Sequence, residues 1–193
     1  MARGGDVKAR ILEVAAQLFM EQGYAATSVR EIGERASVGQ SSLYHHVQSK
    51  GQLLYELHHA FSLDLIDRLT AVIESTSSPT EQLRGLFHVV LGVVETHQAE
   101  VTVFLREEHA LPENSRGDIQ GERDQVDALV DKIISDGIEA GELRADLDVR
   151  LTRLGILGIT NWSYQWFRPG GERTSAEIAD FFADMVVKGV AAR

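Results

Sequence analysis

Residues 27 to 50 gather an unusual set of hydrogen-bonding side chains: Thr27, Ser28 and Arg30, then Gln40, Ser41, Tyr44 and His45, then Lys50. Gln40 carries a donor and an acceptor side by side, which suits adenine N6/N7, and Ser41 could meet a base edge. Arg30 could reach a guanine or a phosphate. Thr27, Ser28, Tyr44 and Lys50 fall where helices begin or end. There, hydroxyls, backbone N–H groups and one ammonium could clamp phosphates and fix register. The pair His45-His46 has the residue type of a metal site but not the spacing, because neighbours on a helix point about 100° apart and do not easily share one ion. The chain has no cysteine, so thiolate zinc sites, cysteine nucleophiles and disulfides are excluded.

The elements that must position these side chains are helices. Ile11, Leu12, Ala15, Leu18 and Phe19 recur at spacings of three and four, predicting a helix from about Val7 to Gln22 that Gly23 stops. Thr27 and Ser28 offer an N-cap for a two-turn helix to about Arg35 with Val29 and Ile32 inward. After Ala36-Ser37-Val38, a second short helix, about Gly39 to His46, has one strongly apolar interior residue, Leu43, and leaves Gln40, Ser41, Tyr44 and His45 outside. Ser49 then caps a long helix from Lys50 to about Glu74. Two short helices joined by a tight turn between longer ones make a helix-turn-helix unit, whose second helix can enter the major groove.

Beyond the Ser75–Pro79 loop, periodicity predicts helices at about 80–97, 99–111, 118–141, 147–167 and 174–191, with the three prolines, at 79, 112 and 169, where the pattern lapses. No strand-like alternation or internal repeat is present. The fold expected is all-α, about nine helices, with a three-helix DNA-binding domain at 1–50 and a helical ligand-binding and dimerisation domain at 51–193.

The net charge of −10 seems at odds with nucleic acid, yet residues 1–50 hold six Lys/Arg against five Asp/Glu, so the acidity lies in the remainder. A near-neutral head can bind phosphate through a few placed groups while the acidic part stays off the duplex. No run approaches the roughly 20 apolar residues that span a bilayer, and MARGGDVKAR lacks the apolar core of a secretory signal. The expectation is a cytoplasmic chain with no membrane partner.

Over about residues 8–54 the sequence resembles the TetR family of repressors. The residues that carry the resemblance are Ile11-Leu12, Ala15-Ala16, Leu18-Phe19, Gly23-Tyr24, Thr27-Ser28-Val29-Arg30-Glu31-Ile32, Ala36-Ser37-Val38, Ser42-Leu43-Tyr44-His45-His46-Val47 and Ser49-Lys50. What it implies is a homodimer on two half-sites of a palindromic, double-stranded operator, with a C-terminal domain whose ligand moves the two heads apart. The DNA-facing set is then Thr27, Ser28, Arg30, Gln40, Ser41, Ser42, Tyr44, His45, His46 and Lys50. Gly33 stands where alanine is usual and Val47 where phenylalanine is, two departures expected to loosen the core slightly.

In the second part, Leu151, Leu154, Gly155, Leu157 and Gly158, with Phe181, Phe182, Met185, Val186 and Val190, predict a dimer through the last two helices as a four-helix bundle. The segment Asn161 to Gly171 holds both tryptophans and a tyrosine, a composition that suits pocket walls and interfaces alike. This segment, and Gly141 to Asp148 before it, is similar to TetR-type repressors that sense acyl-CoA thioesters. Candidate ligand contacts are Phe61, Phe87, Leu91, Val94, Phe104, Arg106, His109, Asn161, Trp162 and Trp166, with Val103 and Glu107 beside them. Arg106, Arg153 and Arg168 are the cations available to CoA phosphates. An efflux regulator answering to a hydrophobic drug-like ligand is the alternative within the family. An architectural DNA-binding protein without a ligand is a further option. A small helical enzyme is the alternative of another class, for which Glu107-Glu108 with His109, or His88 and His97, would supply acid–base groups; no nucleophile elbow, phosphate loop or metal signature supports it. No catalytic residue, resident cofactor or metal is expected.

Overall fold

Capping side chains mark where the helices start. The computed structural model describes residues 4–191, with side chains from Val7 onward. Ser28 accepts from the Glu31 amide, Ser49 from Gln52, Ser78 from Glu81 and Asp148 from Leu151, while Thr174 and Glu177 form a reciprocal capping box. Among the described residues there are nine helices of seven residues or more, one four-residue helical turn, two 3-10 turns and no strand.

Two compact units divide the chain. The first takes the chain up to Phe61 together with Ala99–Ile119. It contains α1 (Gly4–Gln22), α2 (Val29–Arg35), α3 (Gln40–His46), the first part of α4 (Lys50–Ser75), most of α6 (Gln98–Glu107), the 3-10 turns Glu108–Ala110 and Glu113–Ser115, and the start of α7 (Arg116–Glu139). Ile11, Ala15, Leu18 and Phe19 on α1, Ile32 on α2, Leu43 on α3 and Leu53, Leu54 and Leu57 on α4 are buried. Their three- and four-residue spacings are those of single helix faces.

The second unit takes Ser62–Gln98 and the chain from Gln120 on. It holds the remainder of α4 and α7 with α5 (Pro79–Thr96), α8 (Val149–Asn161), the turn α9 (Ser163–Trp166) and α10 (Ser175–Val190). Its core joins Leu69, Leu83, Leu86, Phe87, Val90, Leu91, Val130, Ile133, Ile134, Leu143, Ile156, Ala179, Ala183 and Val187. Pro79 occupies the first turn of α5, where a missing N–H leaves no bond unmade.

One expected helix is divided. The pattern from 147 to 167 predicts a continuous helix, whereas α8 stops at Asn161 and a single turn follows. The Thr160 hydroxyl donates to the carbonyls of Ile156 and Leu157, inside the ladder, and such back-bonding bends helices.

The end of α7 also positions the start of α5. Gly141, at φ +71°, closes α7 with the Glu142 amide on the Gly137 carbonyl and its own amide on that of Ile138. Glu142 then reaches across, accepting from the Ser78 hydroxyl at 2.9 Å and the Thr80 amide at 3.0 Å. The backbone hydrogen bond from Thr80, with the side-chain hydrogen bonds of Thr80 and Ser78, holds its carboxyl below the ordinary value of 4.5. A depressed carboxyl stabilises the fold above its unfolded pKa and loses that contribution as pH falls through the folded one. Glu142→Gln therefore lowers the thermal midpoint at pH 7. Melts of both proteins at descending pH are expected to draw together as pH falls below 4.5; a difference unchanged down to pH 3 contradicts this account.

Candidate nucleic-acid interface and effector unit

Of the seven residues in α3, only Leu43 is buried, at 1% exposure, and Val47 just past its end is buried too. Gln40, Ser41, Ser42, Tyr44 and His45 are exposed and His46 is half-buried, so the helix lies on the first unit by one side chain and offers the rest outward. Tyr44, at 59% exposure, is a large aromatic with a hydroxyl and no covering element. The His45 and His46 rings meet edge to face at 5.2 Å, and no metal-ligating cluster exists among the described residues.

The seat beneath Leu43 is Gly33. A Cβ at residue 33 would lie 2.4 Å from the Leu43 Cδ2. The expected looseness at this glycine is absent: the space an alanine would use is already filled by the leucine that anchors α3. The α2–α3 turn is set by a helix stop in which the Val38 amide bonds the Gly33 carbonyl at 2.9 Å and the Ser37 amide bonds Glu34 at 3.1 Å. Ser37 is left at φ +53°, the left-handed region.

Arg30 is exposed on α2 and bonded to Glu34 at 2.8 Å. The pair is solvent-screened and weak, so the guanidinium can exchange that carboxylate for a phosphate or a base at little loss. Arg35 is held by both oxygens of Glu21 and Lys8 by Glu56. Ser28 is exposed at the start of α2 with its hydroxyl on the Glu31 amide.

Two members of the expected DNA-facing set point inward. Thr27 is 2% exposed, and its hydroxyl donates to the Gly23 carbonyl at 2.9 Å, which leaves Ser28 as the exposed hydroxyl of the pair. The Lys50 ammonium lies against the α1–α2 turn, bonded to the carbonyls of Tyr24, Ala25 and Thr27. Burial pushes the Tyr24 phenol above its ordinary pKa, and the Glu107 carboxylate adds to the shift.

The effector candidates divide by unit. In the first, Phe61 and Phe104 meet at 5.8 Å, joined by His58, whose ring centroid is 4.0 Å from Phe104 and 5.0 Å from Phe61. His58 is a buried polar member that the sequence pattern passed over, although its spacing of four from Leu54 and three from Phe61 was the available signal. Val103 is buried in the same helix as Phe104, whereas Arg106 is exposed and His109 outward, 3.8 Å from half-buried Glu107. In the second unit, Phe87 and Leu91 are core and Val94 is buried.

The aromatic segment turns its largest rings outward. Trp162 is 62% exposed, Trp166 and Asn161 are exposed, and Thr160, Ser163 and Phe167 face inward. Trp166 packs edge-on to Phe182 at 6.2 Å and Phe181 lies 6.0 Å from Phe182. Leu151 and Leu154 on α8 and Phe181 and Met185 on α10 are exposed as well. Gly155 and Gly158 on α8 have open space beyond them. Arg153, one of the cations expected to serve CoA phosphates, is instead nearly buried and ion-paired with Asp127 and Asp131. Its charge is already answered by two carboxylates. Arg168 is exposed, its guanidinium bonded to the carbonyls of Gln165 and Phe167.

Residues 11–57 match the family profile described as bacterial regulatory proteins, tetR family, and residues 76–190 match that of the tetracyclin repressor-like C-terminal domain. The HTH-type transcriptional repressor KstR2 of Mycobacterium tuberculosis is 35% identical over 190 residues, covering 96% of this chain and 95% of that protein. The solved structure of that ketosteroid transcriptional regulator superposes with a TM-score of 0.87 at 33% identity over 96% of this chain and 95% of the other. The TetR family transcriptional regulator PfmR of Thermus thermophilus gives 0.88 at 31% identity, over 93% and 97%. AibR, solved in complex with isovaleryl coenzyme A and operator DNA, gives 0.80 at 28% identity, over 93% and 97%.

A serine held at φ +53° is strained where a glycine is not. Ser37→Gly is expected to stabilise the protein by about 0.5–1 kcal/mol in urea denaturation while leaving the α3 surface unchanged. A loss of stability would show that the Ser37 side chain has a role of its own in this turn.

Proposed function

The chain belongs to the TetR family of DNA-binding transcriptional regulators, and on that premise we propose a homodimeric repressor that an acyl-CoA thioester releases from a palindromic operator. The observation that carries DNA reading is the surface of α3, a helix that buries Leu43 and presents Gln40, Ser41, Ser42, Tyr44 and His45. A helix so disposed suits the major groove. Gln40 and Ser41, at its N-terminal end, take the base edges, Ser42, His45 and His46 flank them, and Tyr44, Ser28 and Arg30 take the sugar–phosphate backbone.

Dimerisation belongs to α8, α9 and α10. Leu151, Leu154, Trp162, Trp166, Phe181 and Met185 are large apolar residues exposed on these three elements, surface that a second copy of the helices would cover. Gly155 and Gly158 let a second helix approach closely. This assigns Trp162 and Trp166 to the partner rather than to the effector.

The acyl-CoA reading rests on two supports: the likeness of Gly141 to Asp148 and Asn161 to Arg168 to acyl-CoA sensors, and the solved AibR complex with isovaleryl coenzyme A. The inward face of the second unit, where Phe87, Leu91 and Val94 are buried, would supply apolar contact for an acyl group. Exposed Arg168, in the same unit, remains for a phosphate.

Operator binding is tested on a duplex selected from a random pool by the protein itself. Tyr44→Ala is expected to weaken binding about tenfold on every sequence, and Gln40→Ala to relax preference at particular base pairs by about 1–3 kcal/mol. Phe181→Asp should give a monomer in sedimentation that binds the full operator poorly. Wild-type affinity in Tyr44→Ala at matched salt would defeat the docking. For the effector, CoA thioesters of short, branched and polycyclic acids are titrated into the complex, beside hydrophobic drug-like cations. Release by the cations alone selects the efflux reading and rejects the thioester.

A further inference from the structure

Lys50 opens α4 directly after the reading helix, and by residue type it is a phosphate clamp. Its ammonium is turned the other way. Nζ donates to the carbonyl of Tyr24 at 2.6 Å, of Thr27 at 3.0 Å and of Ala25 at 3.2 Å. It also lies 4.4 Å from the centre of the Tyr24 ring. An ammonium has three N–H donors and no acceptor, so its donors are already matched by three carbonyls. Those carbonyls follow the C-terminus of α1, where aligned peptide dipoles leave partial negative charge and favour a cation. The Thr27 hydroxyl closes the same turn from inside, on the Gly23 carbonyl at 2.9 Å. The next residue, Ser28, caps α2.

We propose that Lys50 is a positioning residue for operator binding: its ammonium gathers the carbonyls of Tyr24, Ala25 and Thr27 and so fixes where Ser28 and α2 begin, instead of neutralising a phosphate. The assignment rests on operator binding through the α3 face. Swinging Nζ out to DNA would strip three carbonyls of a charge-assisted partner. Arg30, exposed and held only by a screened carboxylate, is the cation that can move to a phosphate without such a loss.

The two roles separate by salt. A lysine that neutralises a phosphate releases a counterion, so its removal flattens the dependence of log K on log salt by about 0.9, whereas removal of a positioning residue leaves that slope unchanged. Full-length wild type, Lys50→Met and Lys50→Arg are titrated by fluorescence anisotropy with the duplex selected by wild type, from about 50 to 200 mM KCl. Amide exchange of the DNA-free proteins is measured alongside.

For Lys50→Met the expected result is affinity about tenfold lower, an unchanged slope, and exchange of the amides from Ala25 to Glu31 about tenfold faster. Lys50→Arg should fail to restore either, because a planar guanidinium cannot aim its donors at three carbonyls converging on one point. A flatter slope with wild-type exchange, wild-type affinity in Lys50→Met, or full rescue by arginine overturns the proposal. Exchange needs no DNA, so if wild type selects no duplex, operator binding fails while the carbonyl cluster is still judged.

Discussion

The contact between Leu43 and Gly33 is the constraint on which the reading surface depends. A helix of seven residues with a single buried side chain has little apolar area to hold it, and burying one leucine stabilises by about 1.5–3 kcal/mol. Leu43 realises it by lying close against α2, with its Cδ2 2.4 Å from where a Cβ on Gly33 would stand. Gly33 permits this because a Cβ there would overlap the leucine methyl. The rest follows from economy of contact: with Leu43 and Val47 alone turned inward, the outer side chains of α3 stay free of the fold. The Ser37 turn then fixes the angle at which they are shown, at the expense of an unfavourable backbone conformation.

Much of this head was legible in the sequence, because its determinants are local. The start of α2 at Ser28, the cap at Ser49, the stop at Gly23 and the poverty of α3 in apolar residues all act within a few residues of themselves. What stayed hidden depends on the third dimension. Thr27 and Ser28 are adjacent hydroxyls of equal capping ability, and only the packing of the turn decides that the first goes in and the second out. Lys50 has a four-carbon stem whose direction no periodicity encodes. Gly33 was misjudged for the same reason: an absent side chain signals a gap in a sequence, whereas in the fold a neighbour fills it.

The second unit was legible as a set of helices and less so as a set of faces. In the first unit, too, the pairing of Phe61 with Phe104 and the return of Ala99–Ile119 join segments far apart in the chain. The aromatic segment illustrates the limit more sharply. Its composition fits a pocket and an interface equally, and the spacing of Thr160, Ser163 and Phe167 marks the inward side without saying what meets Asn161, Trp162 and Trp166 outside. Arg153 shows how an acidic unit changes the meaning of a basic residue. Enclosed by Asp127 and Asp131, it ties α8 to α7 and has no charge to spare for an anionic ligand.

The pairing of cations within the head also bears on how the protein finds its site. Lys8 faces Glu56, Arg35 faces Glu21 and Arg30 faces Glu34, so each of these cations trades a screened carboxylate for a phosphate when it meets a duplex. Affinity for random DNA comes almost wholly from counterions displaced by such charges. A head in which such exchanges offset part of the gain from each phosphate would lean on contacts to the bases, and so on one sequence over another.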